Sequence, residues 1–94
     1  MVSKTRTSFY RRLYVARLID AGIDTVPAIV AHCDMPRRTA QDTIAALGEI
    51  DISCRFEGAK KNGAYVIDDW GAIRRAWVDE HLDRIAAELG YPGL

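Results

Sequence analysis

Ninety-four residues, 49% of them hydrophobic and 28% charged, are enough for one folded domain and too few for two. No apolar run approaches the ~20 residues of a membrane helix, and no charged-then-apolar leader opens the chain, so neither a membrane span nor secretion is expected. Cys33 and Cys54, with no CxxC pair, make no disulfide framework and fit a reduced, cytoplasmic compartment. The formal net charge of zero conceals a gradient. Residues 1–48 hold seven Lys/Arg against four Asp/Glu, and residues 68–94 hold three against six. A basic front of Lys4, Arg6, Arg11 and Arg12 points to a polyanion partner, or to nothing more than an unevenly charged surface.

With no internal repeat or low-complexity tract, residues 1–94 read as a single unit, residues 1–7 being a flexible basic arm. Ser8 is the expected cap of a helix reaching about Ala21, with Phe9, Leu13, Ala16 and Ile19 or Asp20 on one face and Gly22 supplying a left-handed end. Ile23–Thr25 reads as a short extended piece. Thr25 and Pro27 start a brief second helix, because proline in the first turn forfeits no needed N–H, and Asp34 and Pro36 end it near Cys33. A third helix is expected from Pro36 to Gly48. The period then changes to two: Ile50, Ile52, Cys54 and Phe56 alternate with Asp51, Ser53, Arg55 and Glu57, as in a strand buried on one face. The loop 58–63 (GAKKNG) turns into a returning strand, 64–67. A last helix follows over 69–89, with Asp68 and Asp69 as acids favoured by its N-terminal dipole.

This order, mostly α with one small β-hairpin (α-β-α-α-β-β-α), resembles the winged helix-turn-helix family over residues 8–89. The stretch 28–47, AIVAHCDMPRRTAQDTIAAL, resembles the two-helix element of small bacterial regulators, with Ile29, Cys33, Met35, Ala40 and Ile44 at its apolar positions. Asp34 stands where that element usually carries glycine, and Val30 where it usually carries a small residue. The resemblance implies that Arg37, Arg38, Thr39 and Gln41 open a DNA-recognition helix, and that Lys60, Lys61 and Asn62 at the hairpin tip lie on the flanking backbone or minor groove.

Independently of the resemblance, Ala40, Ile44 and Leu47 form one narrow apolar stripe on the third helix. Arg37, Arg38, Gln41, Asp42 and Ala45 are left for solvent or a partner. A helix over 36–47 would be ~18 Å long, and its first turns fit a major groove ~12 Å wide. Arginine pairs bidentately with guanine and glutamine with adenine, while Thr39 and the free N–H groups of the first turn suit a phosphate. Asp42 is repelled by phosphate. It pairs with Arg38 one turn earlier or accepts from a cytosine amino group, and a solvated face closed by that ion pair is the competing reading.

On the last helix Trp70, Ile73 and Trp77 form one stripe, and Val78, Leu82, Ile85 and Leu89 another. The second stripe either joins two copies as a short helical seam, giving a homodimer on a two-fold operator, or packs on the first helix of the same chain. His32 and His81 are far apart in sequence and His32–Cys33 has no matching pair to complete a tetrahedral zinc site, while both cysteines read as small core hydrophobes. No phosphate loop, Ser/His/Asp set or paired carboxylates suggest catalysis, so no metal, cofactor or enzymatic activity is expected. The expected protein is a nucleoid-associated regulator that binds double-stranded DNA. The alternative is a winged domain that docks a protein partner, and the two differ in whether Arg37, Arg38, Lys60 and Lys61 converge on one face or disperse.

Overall fold

The computed structural model describes residues 3–94, and Met1 and Val2 lie outside the described residues. Its elements are α1 (Lys4–Asp20), α2 (Val26–Cys33), α3 (Arg37–Ala45), a 3-10 turn (Ala46–Ile50), β1 (Ser53–Glu57), β2 (Ala64–Asp69) and α4 (Arg75–Leu89). The two strands form one antiparallel hairpin.

The first helix begins five residues earlier than the Ser8 cap implies. Ser3 caps it instead, its hydroxyl accepting from the Arg6 N–H at 3.1 Å. Both serines are competent caps locally, and contacts with α4 favour the longer helix. Arg6 donates to both carboxylate oxygens of Glu88 and lies over the Tyr10 ring, so Lys4–Thr7 are helical and not a loose arm. Arg17 donates to Asp79, and Arg75 and the Trp70 indole both reach Asp20. Arg6–Glu88, Arg17–Asp79 and Asp20–Arg75 run in opposite directions along the two helices, which aligns them antiparallel. The charge gradient is therefore largely spent inside the molecule. Such half-exposed pairs contribute little energy each, but they fix the alignment.

Helix α1 is the centre of the core. Leu13, Tyr14, Val15 and Ala16 are buried in succession, as are Leu18 and Ile19. No single face of a helix accounts for four consecutive buried residues; α1 is enclosed by α4, α3 and β2 together. Ile29, Met35, Leu47, Ile52, Val78 and Ile85 complete the interior.

Helix α2 follows its local signals. Thr25 accepts from the Ala28 N–H at 3.2 Å, Pro27 sits in the first turn, and Asp34 closes the helix in the left-handed conformation (φ 56°). The Asp34 N–H still bonds to the Val30 carbonyl at 2.8 Å, so aspartate serves where glycine was the usual residue. The expected extended piece at Ile23–Thr25 is not a strand. One main-chain bond, Tyr65 N–H to the Asp24 carbonyl at 2.8 Å, ties it to the hairpin, and the helix caps on either side leave no room for more. The observed order is thus α-α-α-β-β-α.

Three further boundaries differ from expectation. Helix α3 ends at Ala45 and tightens into the 3-10 turn, which passes through Gly48 and reverses at Asp51 (φ 62°). The strand expected from Ile50 starts at Ser53, after that reversal. Asp68 and Asp69 belong to β2 and do not cap α4, whose cap position is Arg74 with no side-chain bond. Asp69 instead accepts from the Gly71 N–H at 2.8 Å, while Asp68 accepts from Arg55.

Gly71 is where the hairpin and α4 meet the 3-10 turn. It has φ +60°, and a Cβ there would lie 2.3 Å from the Asp51 carbonyl oxygen. Gly71→Ala is expected to cost about 2 kcal/mol or more, since a left-handed non-glycine residue alone costs about 1–3 kcal/mol and the backbone must also shift. Gly48→Ala, where the same atom meets open space at an ordinary φ, is the control and should be close to neutral. Urea unfolding of both variants measures the difference.

Candidate nucleic-acid interface

Helix α3 is amphipathic. Ala40, Thr43 and Ile44 face the core, and Thr43 spends its hydroxyl on the Thr39 carbonyl at 2.7 Å. Arg37, Arg38, Gln41, Asp42 and Ala45 are exposed. The exposed residues divide between two sides. Arg37 and Gln41, one turn apart, line a cleft of about 400 Å³ bounded by α3, the hairpin and the start of α2 at Thr25, Val26 and Pro27. Lys60 and Lys61 line the same cleft from the hairpin loop, and no Asp or Glu is among its described lining residues. Arg37, Lys60 and Lys61 take part in none of the ion pairs among the described residues.

The remaining expected contacts are placed differently. Arg38 points outward, its side chain 92% exposed, and approaches Asp42 no closer than 3.9 Å, a loose pair one turn apart. Thr39 lies on the opposite flank, in a groove against α1 that Ser8, Arg11 and Arg12 also line. Arg12 there is engaged by Glu49 at 3.1 Å, whereas the Arg11 Nε is buried without a partner among the described residues. Asn62 is exposed in the loop, where its N–H closes a turn onto the Ala59 carbonyl at 3.1 Å, and it does not line the cleft. Four of the seven expected DNA-facing residues therefore share one cleft.

Two aromatic residues in the cleft escaped the sequence reading. Phe56, expected on the buried face of its strand, is 45% exposed. The alternation is real, but the hairpin leaves the core before it ends: Ile52 is buried, Cys54 half-buried, and Phe56 beyond the last covering residue. Its partner across the sheet is Tyr65, edge-on at 5.0 Å, and both rings line the cleft. The only sequence signal was position, one residue before the Glu57–Gly58 step into the loop.

The stripe expected to join two copies is placed inside the protomer. Val78, Leu82 and Ile85 are buried where α4 packs on α1, and Leu89 is half-buried beside them. The other stripe is the more exposed one. Ile73 and Trp77 line a shallow apolar hollow of about 370 Å³ with Phe9 and Leu13, and Trp77 stacks on His81 at 4.3 Å.

Both thiols are free. Burial pushes the Cys33 and Cys54 thiols up, and Asp68 adds to the effect at Cys54. Among the described residues no three His, Cys, Asp or Glu side chains gather as a metal site, and no helix is long and apolar enough to cross a membrane.

Two helices joined by a tight left-handed turn, the second with an exposed polar face, followed by a two-stranded hairpin projecting beside it, define a winged-helix domain. Comparison with known proteins agrees. The family described as "Winged helix-turn helix" matches residues 4–89, and the chain belongs to that family. A solved structure, that of a DUF2131 family protein from Shewanella amazonensis SB2B, is similar with a TM-score of 0.90 at 37% sequence identity, covering 98% of this chain and 92% of that one. No curated protein matches.

Proposed function

We propose that this winged-helix protein binds double-stranded DNA sequence-specifically and acts as a small transcriptional regulator by occupying its operator. The observation that carries this reading is the convergence of Arg37, Gln41, Lys60 and Lys61 on one cleft free of carboxylates among its described lining residues. In this reading α3 enters the major groove, where Arg37 and Gln41 reach base edges, and the lysines of the wing hold the flanking phosphates. Arg38 and Asn62 extend the contact outward. Thr39 and Arg11 face the backbone on the far side of α3. The protein-docking alternative calls for dispersed cations, and of Arg37, Arg38, Lys60 and Lys61 three line one cleft while Arg38 lies outside it beside Asp42.

A helix of nine residues is about 13.5 Å long, so only its first two turns need to lie in the groove. A homodimer on a two-fold operator belongs to the same proposal. Its contact would be the Phe9, Ile73 and Trp77 hollow, because the Val78, Leu82 and Ile85 stripe is occupied within each protomer.

Fluorescence anisotropy with labelled random genomic duplexes at several salt concentrations tests the reading. Binding is expected to weaken with salt, log K falling by about 0.9 per phosphate neutralised for each unit of log salt. Selection from the pool is then expected to enrich one sequence. A folded sample that binds no duplex at low salt would falsify the DNA reading, and leave the same cleft as a protein-docking face.

A further inference from the structure

We propose that the cleft between α3 and the wing holds one unstacked nucleobase, seated on Phe56, with its phosphates on the surrounding cations. The proposal rests on the DNA reading above and adds a ligand subsite to it. Phe56 is one of only two large hydrophobic residues among those described that are exposed, the other being Leu94. It is held in place. Tyr65 meets it edge-on at 5.0 Å, and Gly63 lies so close under the ring that a Cβ there would come within 2.4 Å of it. Glycine at 63 thus leaves the room that the edge of the ring occupies. A fixed aromatic ring nearly half open to solvent offers a π-face on which any base can stack.

What surrounds the ring selects the ligand. Arg37, Lys60 and Lys61 supply three cations, Gln41 supplies an amide that both donates and accepts, and Asp and Glu are absent from the described lining. An apolar peptide would meet three unpaired cations, and an acidic one would leave the ring without an aromatic partner. A nucleotide satisfies both halves at once: base on the ring and phosphate on Lys60 and Lys61, with Arg37 and Gln41 left to the paired bases beside it. The volume of about 400 Å³ lies within the roughly 300–1,000 Å³ of small-ligand sites. The position is also apt. With α3 in the major groove and the wing beyond it, the cleft straddles the strand between the two grooves, where a base leaving the stack would emerge. That base can come from a bulged or flipped position in a duplex, or from a single strand.

Affinities for three labelled DNAs separate these cases: a fully paired duplex, the same duplex with one unpaired base, and the corresponding single strand. The unpaired base is expected to improve binding over the paired duplex by about tenfold, the scale of one base–aromatic stack. Phe56→Leu keeps the apolar bulk without the π-face and should abolish that preference, bringing the ratio of bulged-duplex to paired-duplex affinity to about one. Phe56→Trp should retain it, and circular dichroism checks that both variants are folded. Tight single-strand binding that is lost in Phe56→Leu would support the site with a single strand as its source. Equal affinity for paired and bulged duplexes, or a preference that survives Phe56→Leu, overturns the stacking site and leaves the duplex reading standing. Binding of none of the three DNAs overturns both. Binding of the bulged and single-stranded DNAs but not the paired duplex supports the stacking site and overturns the duplex reading.

Discussion

Ile85→Ala is expected to lower the free energy of unfolding by about 2–5 kcal/mol, a large share of the about 5–15 kcal/mol that holds a domain together. Ile85 has no exposed surface, and it sits where α4 packs against α1 with Val78 and Leu82. The removed methyl groups leave a cavity that α1 cannot collapse into, because α1 is itself fixed on its other sides by α3 and β2. The same experiment tells an intramolecular stripe from an intermolecular seam. With Ile85 in the protomer's own core, the urea midpoint falls by the same amount at every protein concentration, and the sedimentation of the folded variant matches the parent. Were Ile85 a dimer contact, the loss would appear as a concentration-dependent midpoint and a shift in sedimentation. Ala87→Ser, two residues on and exposed, should stay within about 0.5 kcal/mol of the parent.

The second large effect is on DNA affinity, and it should divide by chemistry. Arg37→Ala is expected to weaken binding to the selected sequence by about 1–3 kcal/mol and to relax the preference at one base pair, as loss of a bidentate base contact does. Lys60→Ala with Lys61→Ala should weaken all sequences alike and reduce the salt slope by about 1.8, the share of two phosphates. The three side chains line one cleft and make no ion pair among the described residues, so removing them frees no buried acid and should leave stability nearly unchanged. Anisotropy titrations of each variant on selected and scrambled duplexes make the comparison. Variants that bind both duplexes like the parent would place the DNA surface elsewhere on the fold.

The exposed ion pairs have a different role. Glu88 beside the Arg6 guanidinium, and Asp68 with Glu57 beside Arg55, hold both arginines firmly charged, and each of these cations is already matched within the chain. A count of basic residues near the start of the sequence overstates what is available to a polyanion, because Arg6, Arg12 and Arg17 all have carboxylate partners. Among the described residues the cations in no ion pair are Lys4, Arg11, Arg37, Lys60, Lys61, Arg74 and Arg84, and of these Arg37, Lys60 and Lys61 share one cleft.

The sequence by itself determined the features whose causes lie within a few residues. Thr25 and Pro27 start α2, Asp34 turns the chain left-handed, the apolar positions of α3 repeat at helical spacing, and 58–63 closes a hairpin. Each of these is a cap, a turn or a period, and needs no distant partner to be favourable. Only the tertiary structure decided between two serines that could each cap α1, because Glu88 lies 82 residues from the Arg6 it holds. Tertiary packing also turned an expected one-faced α1 into a helix enclosed on several sides, and it moved the start of α4 past Gly71. The Val78, Leu82 and Ile85 stripe was decided the same way, between a seam joining two copies and a contact with α1, and it packs on α1. Periodicity reports that a face is apolar, and only packing determines whether another part of the same chain covers it. Phe56 carries the same lesson at the site. Its alternation with charged neighbours is that of a buried strand residue, but the hairpin extends beyond the core, so the ring opens into the cleft that Arg37, Gln41, Lys60 and Lys61 line.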